Sequence, residues 1–280
     1  EVLAANPNLK GIAVYGVGYN NVDVKYATEL GIPVTNTPGV LTETTADLGW
    51  ALLMAAARKI PQGHLYALSG QWKGPVDKSF MGLDVGPGGS NRRKVLGIIG
   101  FGAIGQAMRR RSRGFRMKVV AYDPFLKETI AKTRGVEYKE LDDLLKVSDF
   151  ITLHCNLTKE THHLIGSREF NLMKPTAILV NASRGAVVDE KALAAALKDN
   201  RIAAAGLDVY EDEPKITSDL LELKNVVLLP HIGSATQDTR DSMAVVAVRN
   251  AVLMVDGKWP MNVVNPDVLK LSEYKRRSAQ

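Results

Sequence analysis

Beyond residue 94, short apolar runs alternate with stretches that have the spacing of amphipathic helices. The runs are rich in Val, Ile and Leu, which is typical of buried strands. This alternation favours a parallel sheet covered by helices on both faces, with right-handed crossovers. The strands predicted here are 95–99, 117–122, 150–153, 177–180, 202–207 and 226–229, and the helices are 103–114, 141–145 and 190–198.

The chain before residue 94 has a less regular pattern. Thr42 can cap a long apolar helix, and Pro61 is expected to end it. A stretch rich in Gly, Pro and Ser then predicts a loop. The elements predicted outside the alternating part are strands at 10–15 and 32–35, helices at 22–30, 43–60 and 236–255, and a loop at 70–93.

Length and composition are those of a globular protein. With 280 residues, 45% hydrophobic and 24% charged, the chain is long enough for two domains. Its one cysteine, Cys155, excludes an internal disulfide and suits a reducing compartment. No signal peptide is recognisable, and the longest apolar stretch is too short to span a bilayer. We therefore predict a cytoplasmic protein without a membrane partner.

The net charge of +6 is concentrated in a few places. A basic patch can indicate nucleic-acid binding, but no nucleic-acid motif accompanies the charge. We interpret it as a solvated helix face and a charged tail, and expect no nucleic-acid partner. A positive field can also steer an anionic cofactor or substrate. The basic clusters are 92–94, 109–116 and 275–277.

A glycine-rich turn follows the first strand of the alternating part. Gly100, Gly102 and Gly105 form a GxGxxG pattern between an apolar strand and a helix, and Asp123 ends the next strand. In a dinucleotide site the three glycines permit the tight turn, the approach of the pyrophosphate and close helix packing. The helix N-terminus offers free N–H groups to the phosphates. Asp123 would bind the adenosine ribose and repel a 2′-phosphate, which favours NAD over NADP.

Arg109 fits this motif poorly. It lies where a small residue usually helps the helix to pack on the sheet, and two more arginines follow it. We expect most of these three guanidinium groups to reach solvent, and the helix to be slightly displaced.

Several segments together resemble the D-isomer-specific 2-hydroxyacid dehydrogenases, with the glyoxylate/hydroxypyruvate reductases as the most similar branch. The resemblance covers residues 9–266, nearly the whole chain. The order and spacing of the matching segments make the resemblance specific. The segments are 16–23 (GVGYNNVD), 36–38 (NTP), 44–47 (TTAD), 100–105 with Asp123, 181–185 (NASRG), 206–209 (GLDV) with Glu213 and Pro214, and 230–233 (PHIG).

The resemblance implies a fold with two α/β domains. A Rossmann-type doubly wound parallel sheet at 41–234 would bind the cofactor. A smaller flavodoxin-like α/β domain, made of 1–40 and 235–280, would bind the substrate. In this family further strands and helices precede the part that matches residue 1, so we expect this domain to be incomplete at its N-terminus. The helix at 43–60 is more apolar than one face requires, which predicts a homodimer through the cofactor domain.

The resemblance also implies a catalytic trio whose residue types suit the chemistry. Arg184 would grip the carboxylate of an oxo acid and polarise its carbonyl. His231 would donate a proton to the developing alkoxide. Glu213 would orient the imidazole and favour its protonated form.

The remaining implied contacts concern substrate and cofactor. Backbone N–H groups of Val17 and Gly18 would hold the substrate carboxylate. Cys155 would be a small wall residue on the adenine side, because no base accompanies it as a nucleophile would require. No metal is expected. The cofactor-binding residues implied are Thr45, Gly100, Gly102, Ala103, Ile104, Gly105, Asp123, Cys155, Ser183, Asp208 and Gly233.

The function predicted from this resemblance is NAD(H)-dependent, reversible reduction of a small 2-oxo acid to the D-2-hydroxy acid. The nicotinamide would supply the redox chemistry and the protein orientation and electrostatics. The alternative is an NADH-sensing corepressor-like binding protein on the same fold. A formate dehydrogenase is disfavoured, since it would be expected to have Gln in place of Glu213.

Overall fold

The computed structural model describes residues 3–6 and 8–271, and the basic cluster at 275–277 lies outside them. The chain divides into two compact units. One comprises Glu1–Thr44 and Ser234–Gln280, and the other comprises Thr45–Gly233. No helix of the described residues is both long and apolar enough to cross a membrane.

Strands and α-helices alternate through most of the described chain. The strands are β1 Ile12–Ala13, β2 Val34–Thr35, β3 Val95–Ile99, β4 Lys118–Tyr122, β5 Val136–Tyr138, β6 Phe150–Leu153, β7 Ile178–Asn181, β8 Ala204–Leu207 and β9 Val226–Leu228. The α-helices are α1 Val24–Glu29, α2 Thr42–Arg58, α3 Ile60–Leu68, α4 Ala103–Ser112, α5 Lys127–Lys132, α6 Leu141–Val147, α7 Ser167–Leu172, α8 Glu190–Lys198, α9 Ser218–Leu221 and α10 Gln237–Val255.

The Thr45–Gly233 unit is built on a parallel sheet of seven strands in the order β5-β4-β3-β6-β7-β8-β9. Its central strands are buried along nearly their whole length because both faces are covered. Alternate side chains enter two cores: Ile151 and Leu179 belong to one, and Phe150 and Ile178 to the other. The predicted doubly wound α/β fold is confirmed.

The Glu1–Thr44 and Ser234–Gln280 unit has a smaller core. Its strands β1 and β2 are parallel, with Ile12 opposite Val34. Asn265 joins the two segments: its amide nitrogen donates to the carbonyl of Ile32 (3.0 Å), and its side-chain oxygen accepts from the N–H of Val34 (2.8 Å). A Cβ on Gly11 would lie 2.0 Å from the sulfur of Met254, so glycine lets α10 pack closely here.

The predictions differ from the structure mainly at short elements and in polar segments. The helix expected at 43–60 ends at Arg58, because Lys59 takes a left-handed conformation (φ 52°). Pro61 lies in the first turn of α3, where its missing N–H costs no hydrogen bond. Pro61 therefore helps to start a second helix that the sequence analysis missed. The short elements α5, β5, α7 and α9 were also missed.

Candidate active site

The glycine turn after β3 is held by very close backbone packing. Gly100 has φ +87°, and a Cβ there would lie 2.5 Å from the backbone nitrogen of Cys155. A Cβ on Gly105 would lie 2.2 Å from the carbonyl oxygen of Gly100. A Cβ on Gly102, in contrast, would meet no atom within 4 Å. Two glycines are thus needed for packing, and the third leaves open space in front of the turn.

That open space lies at the N-terminus of α4. Gly102 is the N-cap residue, and no side chain caps the helix. The N–H groups of Ala103 and Ile104 begin the helix, where no intrahelical acceptor exists for them. Asp123 accepts from the N–H groups of Phe101 (2.9 Å) and Phe125 (3.0 Å) and so fixes the turn beside the end of β4. These residues fit a dinucleotide with its pyrophosphate on the helix N-terminus.

The three arginines of α4 lie at or near the surface, and two of them have partners there. Arg109 donates to the carbonyl of Arg134, and Arg111 forms an ion pair with Asp47 (2.6 Å). Arg110 is exposed. The side chains are long enough to reach partners at the rim while the buried face of α4 keeps small residues next to the sheet. The close approach of Gly105 to the turn also argues against a displaced helix.

His231 and Glu213 form a short hydrogen-bonded pair. The His231 Nδ1 atom lies 2.6 Å from Oε2 of Glu213, and the other Glu213 oxygen accepts from the N–H of Tyr210 (3.0 Å). The imidazole is 51% exposed, so its other nitrogen is accessible. His231 has a left-handed backbone (φ 52°), which is unusual for a residue other than glycine. The arrangement orients the imidazole through one nitrogen and leaves Nε2 for a ligand.

Asp208 holds the loop that carries His231. It follows β8, is 1% exposed, and accepts from the N–H groups of Ile232 (2.8 Å) and Gly233 (2.7 Å). Burial raises the pKa of this carboxyl, and the two backbone donors act against that rise. A Cβ on Gly233 would lie 3.0 Å from the carboxylate and 3.5 Å from the methyl group of Thr45. Asp208 thereby fixes the two residues that follow the histidine.

Arg184 is placed by the turn after β7. Asn181 donates to the carbonyl of Arg184 (2.9 Å) and accepts from the N–H and hydroxyl groups of Ser183 (3.0 and 2.9 Å). A Cβ on Gly185 would lie 1.8 Å from the carbonyl carbon of Tyr210, so this turn packs directly on the loop leading to Glu213. Burial lowers the pKa of the Arg184 guanidinium, and the charge of Glu213 opposes that effect. The structure thus brings the trio's loops together.

Glu190 and Glu211 are site-supporting residues that the sequence analysis missed. Each carboxylate accepts the backbone N–H of the other residue, at 2.7 Å for Glu190 N–H and 2.6 Å for Glu211 N–H. Glu190 also accepts from the hydroxyl of Thr217 (2.6 Å), and Glu211 lies 3.1 Å from Nε2 of His163. The hydrogen bonds of this cluster fix the loop on both sides of Glu213. No motif or periodicity in the sequence marks it.

Cys155 lies in the wall behind the glycine turn. It is a free cysteine. Burial, with a smaller contribution from Asp123, raises the pKa of its thiol to about 11. A thiol in such surroundings remains protonated near neutral pH.

No cluster of three His, Cys, Asp or Glu side chains that could hold a metal occurs within residues 3–6 and 8–271.

Val17 and Gly18 belong to the other unit and follow β1. The carbonyl of Val17 accepts from the side-chain amide of Asn36 (2.8 Å), and the carbonyl of Gly16 accepts from the N–H of Thr37 (2.9 Å). These bonds fix the turn through its carbonyl groups. Within the described chain, the N–H groups of Val17 and Gly18 make no backbone hydrogen bond. They are therefore available to an anion.

The sheet order, the open glycine turn and the oriented imidazole together define a dinucleotide-binding α/β enzyme. Comparison with known proteins supports this class. Residues 50–233 match the model of the D-isomer specific 2-hydroxyacid dehydrogenase NAD-binding domain. A glyoxylate reductase of Thermococcus litoralis is 52% identical over 276 residues, which are 97% of this chain and 82% of that protein.

A solved structure shows the same relationship. The NADPH-dependent glyoxylate/hydroxypyruvate reductase of Sinorhizobium meliloti, in complex with NADP and malonate, is 32% identical with a TM-score of 0.84. The match covers 98% of this chain and 81% of that one. The chain belongs to the D-isomer-specific 2-hydroxyacid dehydrogenase family. It is an oxidoreductase that acts on CH–OH donors and uses a nicotinamide cofactor.

Proposed function

We propose that the protein reduces small 2-oxo acids of the glyoxylate and hydroxypyruvate type to D-2-hydroxy acids with NADH, in a reversible reaction. The observation that supports this most strongly is the His231–Glu213 pair at 2.6 Å, on a loop held by Asp208. The names of the Thermococcus and Sinorhizobium relatives agree with this substrate class.

The trio has complementary chemical tasks in this proposal. Arg184 binds the substrate and polarises its carbonyl, and its burial strengthens that interaction because little water competes. Glu213 engages Nδ1 of His231, so the transferable proton is held at Nε2. His231 donates that proton to the oxygen that becomes the hydroxyl group. The backbone N–H groups of Val17 and Gly18 bind the substrate carboxylate.

The bound nicotinamide supplies the hydride in this reaction. We propose that Gly100, Gly102, Ala103, Ile104 and Gly105 hold the pyrophosphate. Asp123 binds the adenosine ribose, and its carboxylate favours NAD over NADP because it would repel a 2′-phosphate. The other proposed cofactor contacts are Thr45, Cys155, Ser183, Asp208 and Gly233.

We also propose that the unit Thr45–Gly233 is the cofactor domain and forms a homodimer. Helix α3 supports this, since it exposes Ile60, Leu65 and Leu68 to 54%, 65% and 71%. Exposed apolar side chains on one helix are typical of an interface. Sedimentation equilibrium should give twice the monomer mass. A monomer at micromolar concentration would contradict this part of the proposal.

The function is tested by measuring NADH oxidation with glyoxylate, hydroxypyruvate, pyruvate and a branched oxo acid. We expect turnover with the first two, and a higher kcat/KM with NADH than with NADPH. NADH binding without turnover of any of these acids would contradict the proposal and favour a corepressor-like binding protein. A higher kcat/KM with NADPH would contradict the assignment of Asp123 alone.

A further inference from the structure

A cavity lined by arginines lies at the opposite end of the sheet strands from the glycine turn. It has a volume of about 370 Å³. Its rim includes Met117, directly before β4, and Ser112, at the end of α4. The glycine turn lies at the other end of β3, which is five residues long, or about 17 Å. The cavity is therefore separate from the dinucleotide turn.

Five arginines line this cavity and no acidic residue does. They are Arg93, Arg109, Arg113, Arg116 and Arg134. Burial lowers the pKa of the Arg109 guanidinium, and the positive charges of Arg113 and Arg110 lower it further. Like charges gathered without a carboxylate are unfavourable unless an anion relieves the repulsion.

Two of the arginines are already held in place. Arg93 donates to the carbonyls of Arg116 (2.7 Å) and Met117 (2.9 Å), and Arg109 donates to the carbonyl of Arg134. These neutral acceptors fix the guanidinium groups without cancelling their charge. A guanidinium has five N–H donors, so further donors remain.

Stabilisation of the last turn of α4 accounts for only part of this arrangement. Cations near a helix C-terminus interact well with its carbonyls, and this explains Arg109. It does not explain Arg113 and Arg134, whose side chains make no hydrogen bond or ion pair within the described residues. Both lie at the rim of the same cavity and are exposed.

We propose that this arginine cavity binds a small polyphosphate, a chain of two or three phosphates. Arginine matches phosphate oxygens through paired N–H donors, and several arginines together require an anion of several charges. The size of the cavity suits a small anion. The phosphate chain could be free or part of a nucleoside triphosphate, since both present the same oxygens.

The test is calorimetric titration of tripolyphosphate into the full chain, with saturating NADH to occupy the dinucleotide turn, at an ionic strength of about 0.15 M. The cavity variant is R113Q/R134Q. Its matched control is K191Q/K198Q, which removes the same charge from two exposed lysines of α8. Thermal unfolding of each variant verifies that it folds.

We expect the wild type and the K191Q/K198Q control to bind one equivalent with the same affinity. The R113Q/R134Q variant should bind at least about tenfold more weakly, because two charged donors are lost. Equal affinity in all three proteins would show only general attraction to a basic protein and would overturn the proposal. Absence of binding to the wild type would overturn it too.

A second titration with ATP distinguishes the two sources of the phosphate chain. Tighter binding of ATP than of tripolyphosphate, weakened in R113Q/R134Q, would support the site and identify a nucleotide as its ligand. Equal or weaker ATP binding with the same loss in the variant would support the site and identify the phosphate chain alone.

Discussion

Asp123 and Asp208 occupy equivalent places in the sheet, and their surroundings differ. Each directly follows a parallel strand, Asp123 after β4 and Asp208 after β8. Asp123 is partly exposed and bonds to the turn that faces the open space at Gly102. Asp208 is 1% exposed, and both of its oxygens accept backbone N–H groups of the loop after His231.

The difference shows that position at a strand end does not determine what a carboxylate does. A partly exposed carboxylate keeps accessible lone pairs that a ribose hydroxyl can reach. Both aspartates accept two backbone N–H groups, so their exposure is what distinguishes them. The buried carboxylate is enclosed by its own loop and acts mainly on the geometry of that loop. We therefore expect Asp123 to affect chiefly the binding of the cofactor. Asp208, although it is also a proposed cofactor contact, should affect chiefly the rate of the chemical step.

The largest expected effect belongs to Asp208→Asn. An amide has one acceptor oxygen, so one of the N–H groups of Ile232 and Gly233 loses its partner. We expect a loss of about 1–3 kcal/mol in the free energy of unfolding. Displacement of His231 should reduce kcat by about 100-fold. Urea unfolding and steady-state kinetics measure the two effects.

Measuring kcat and the KM for NADH separately distinguishes a residue that positions His231 from one that binds the cofactor. If Asp208→Asn raises the KM for NADH and leaves kcat unchanged, Asp208 is chiefly a cofactor ligand. The proposed distinction between the two aspartates would then be wrong. The substitution Glu222→Gln, at an exposed position at the end of α9, is a suitable control and should change neither quantity.

Cys155 reports on the surroundings of Asp123. Burial and the Asp123 charge hold the pKa of the thiol at about 11, against a usual value of 9.0. At pH 8 the thiolate is therefore about 100-fold scarcer than in an unperturbed cysteine, and alkylation should be slower by about that factor. Raising the pH through 11 should restore the rate. Iodoacetamide labelling followed by mass spectrometry measures it, with urea-unfolded protein as the reference.

Rapid labelling of the folded protein at pH 8 would contradict this description. It would mean that the wall behind the glycine turn is open to water and that the thiol is more acidic than its burial requires.

Asp123→Asn should have a smaller effect, confined to the cofactor. Loss of the negative charge weakens the bonds to the ribose hydroxyls and removes the repulsion of a 2′-phosphate. We expect the KM for NADH to rise about tenfold, while kcat stays within about twofold. The ratio of kcat/KM for NADPH to that for NADH should rise. An unchanged cofactor preference would mean that residues other than Asp123 determine the choice between NADH and NADPH.

The sequence predicted the fold best where strands are buried on both sides. The bounds of Val95–Ile99 and Phe150–Leu153 were predicted correctly because every residue there is apolar or faces a core. The edge strand Val136–Tyr138 was missed because it is short, half exposed and interrupted by a glutamate. Lys59 was unforeseen because a left-handed lysine has no sequence signature.

The site was predictable only through the family pattern. Nothing local pairs Glu213 with His231, which lies 18 residues further along the chain. The Glu190–Glu211 cluster was missed because its partners are 21 residues apart and both are ordinary surface residue types. Which carboxylates become buried depends on how loops pack, and the order of residues alone does not reveal that.

The smallest expected effect is that of Glu190→Gln. Glutamine can accept only through one oxygen, so it cannot serve the N–H of Glu211 and the hydroxyl of Thr217 equally well. The loop of Glu213 should loosen slightly, and kcat should fall about threefold with little change in the KM for NADH. Lys191→Gln, at the next and exposed position, is the matched control. A change in KM alone would contradict a positioning role.

Isotope transfer shows directly whether hydride passes from the nicotinamide to the substrate, as proposed here. The measurement is the mass and chirality of the product formed from hydroxypyruvate and NADH that carries two deuterium atoms at C4 of the nicotinamide. We predict one deuterium per product molecule, bound to C2, and the D-hydroxy acid. A product without deuterium at C2, or the L-hydroxy acid, would contradict it.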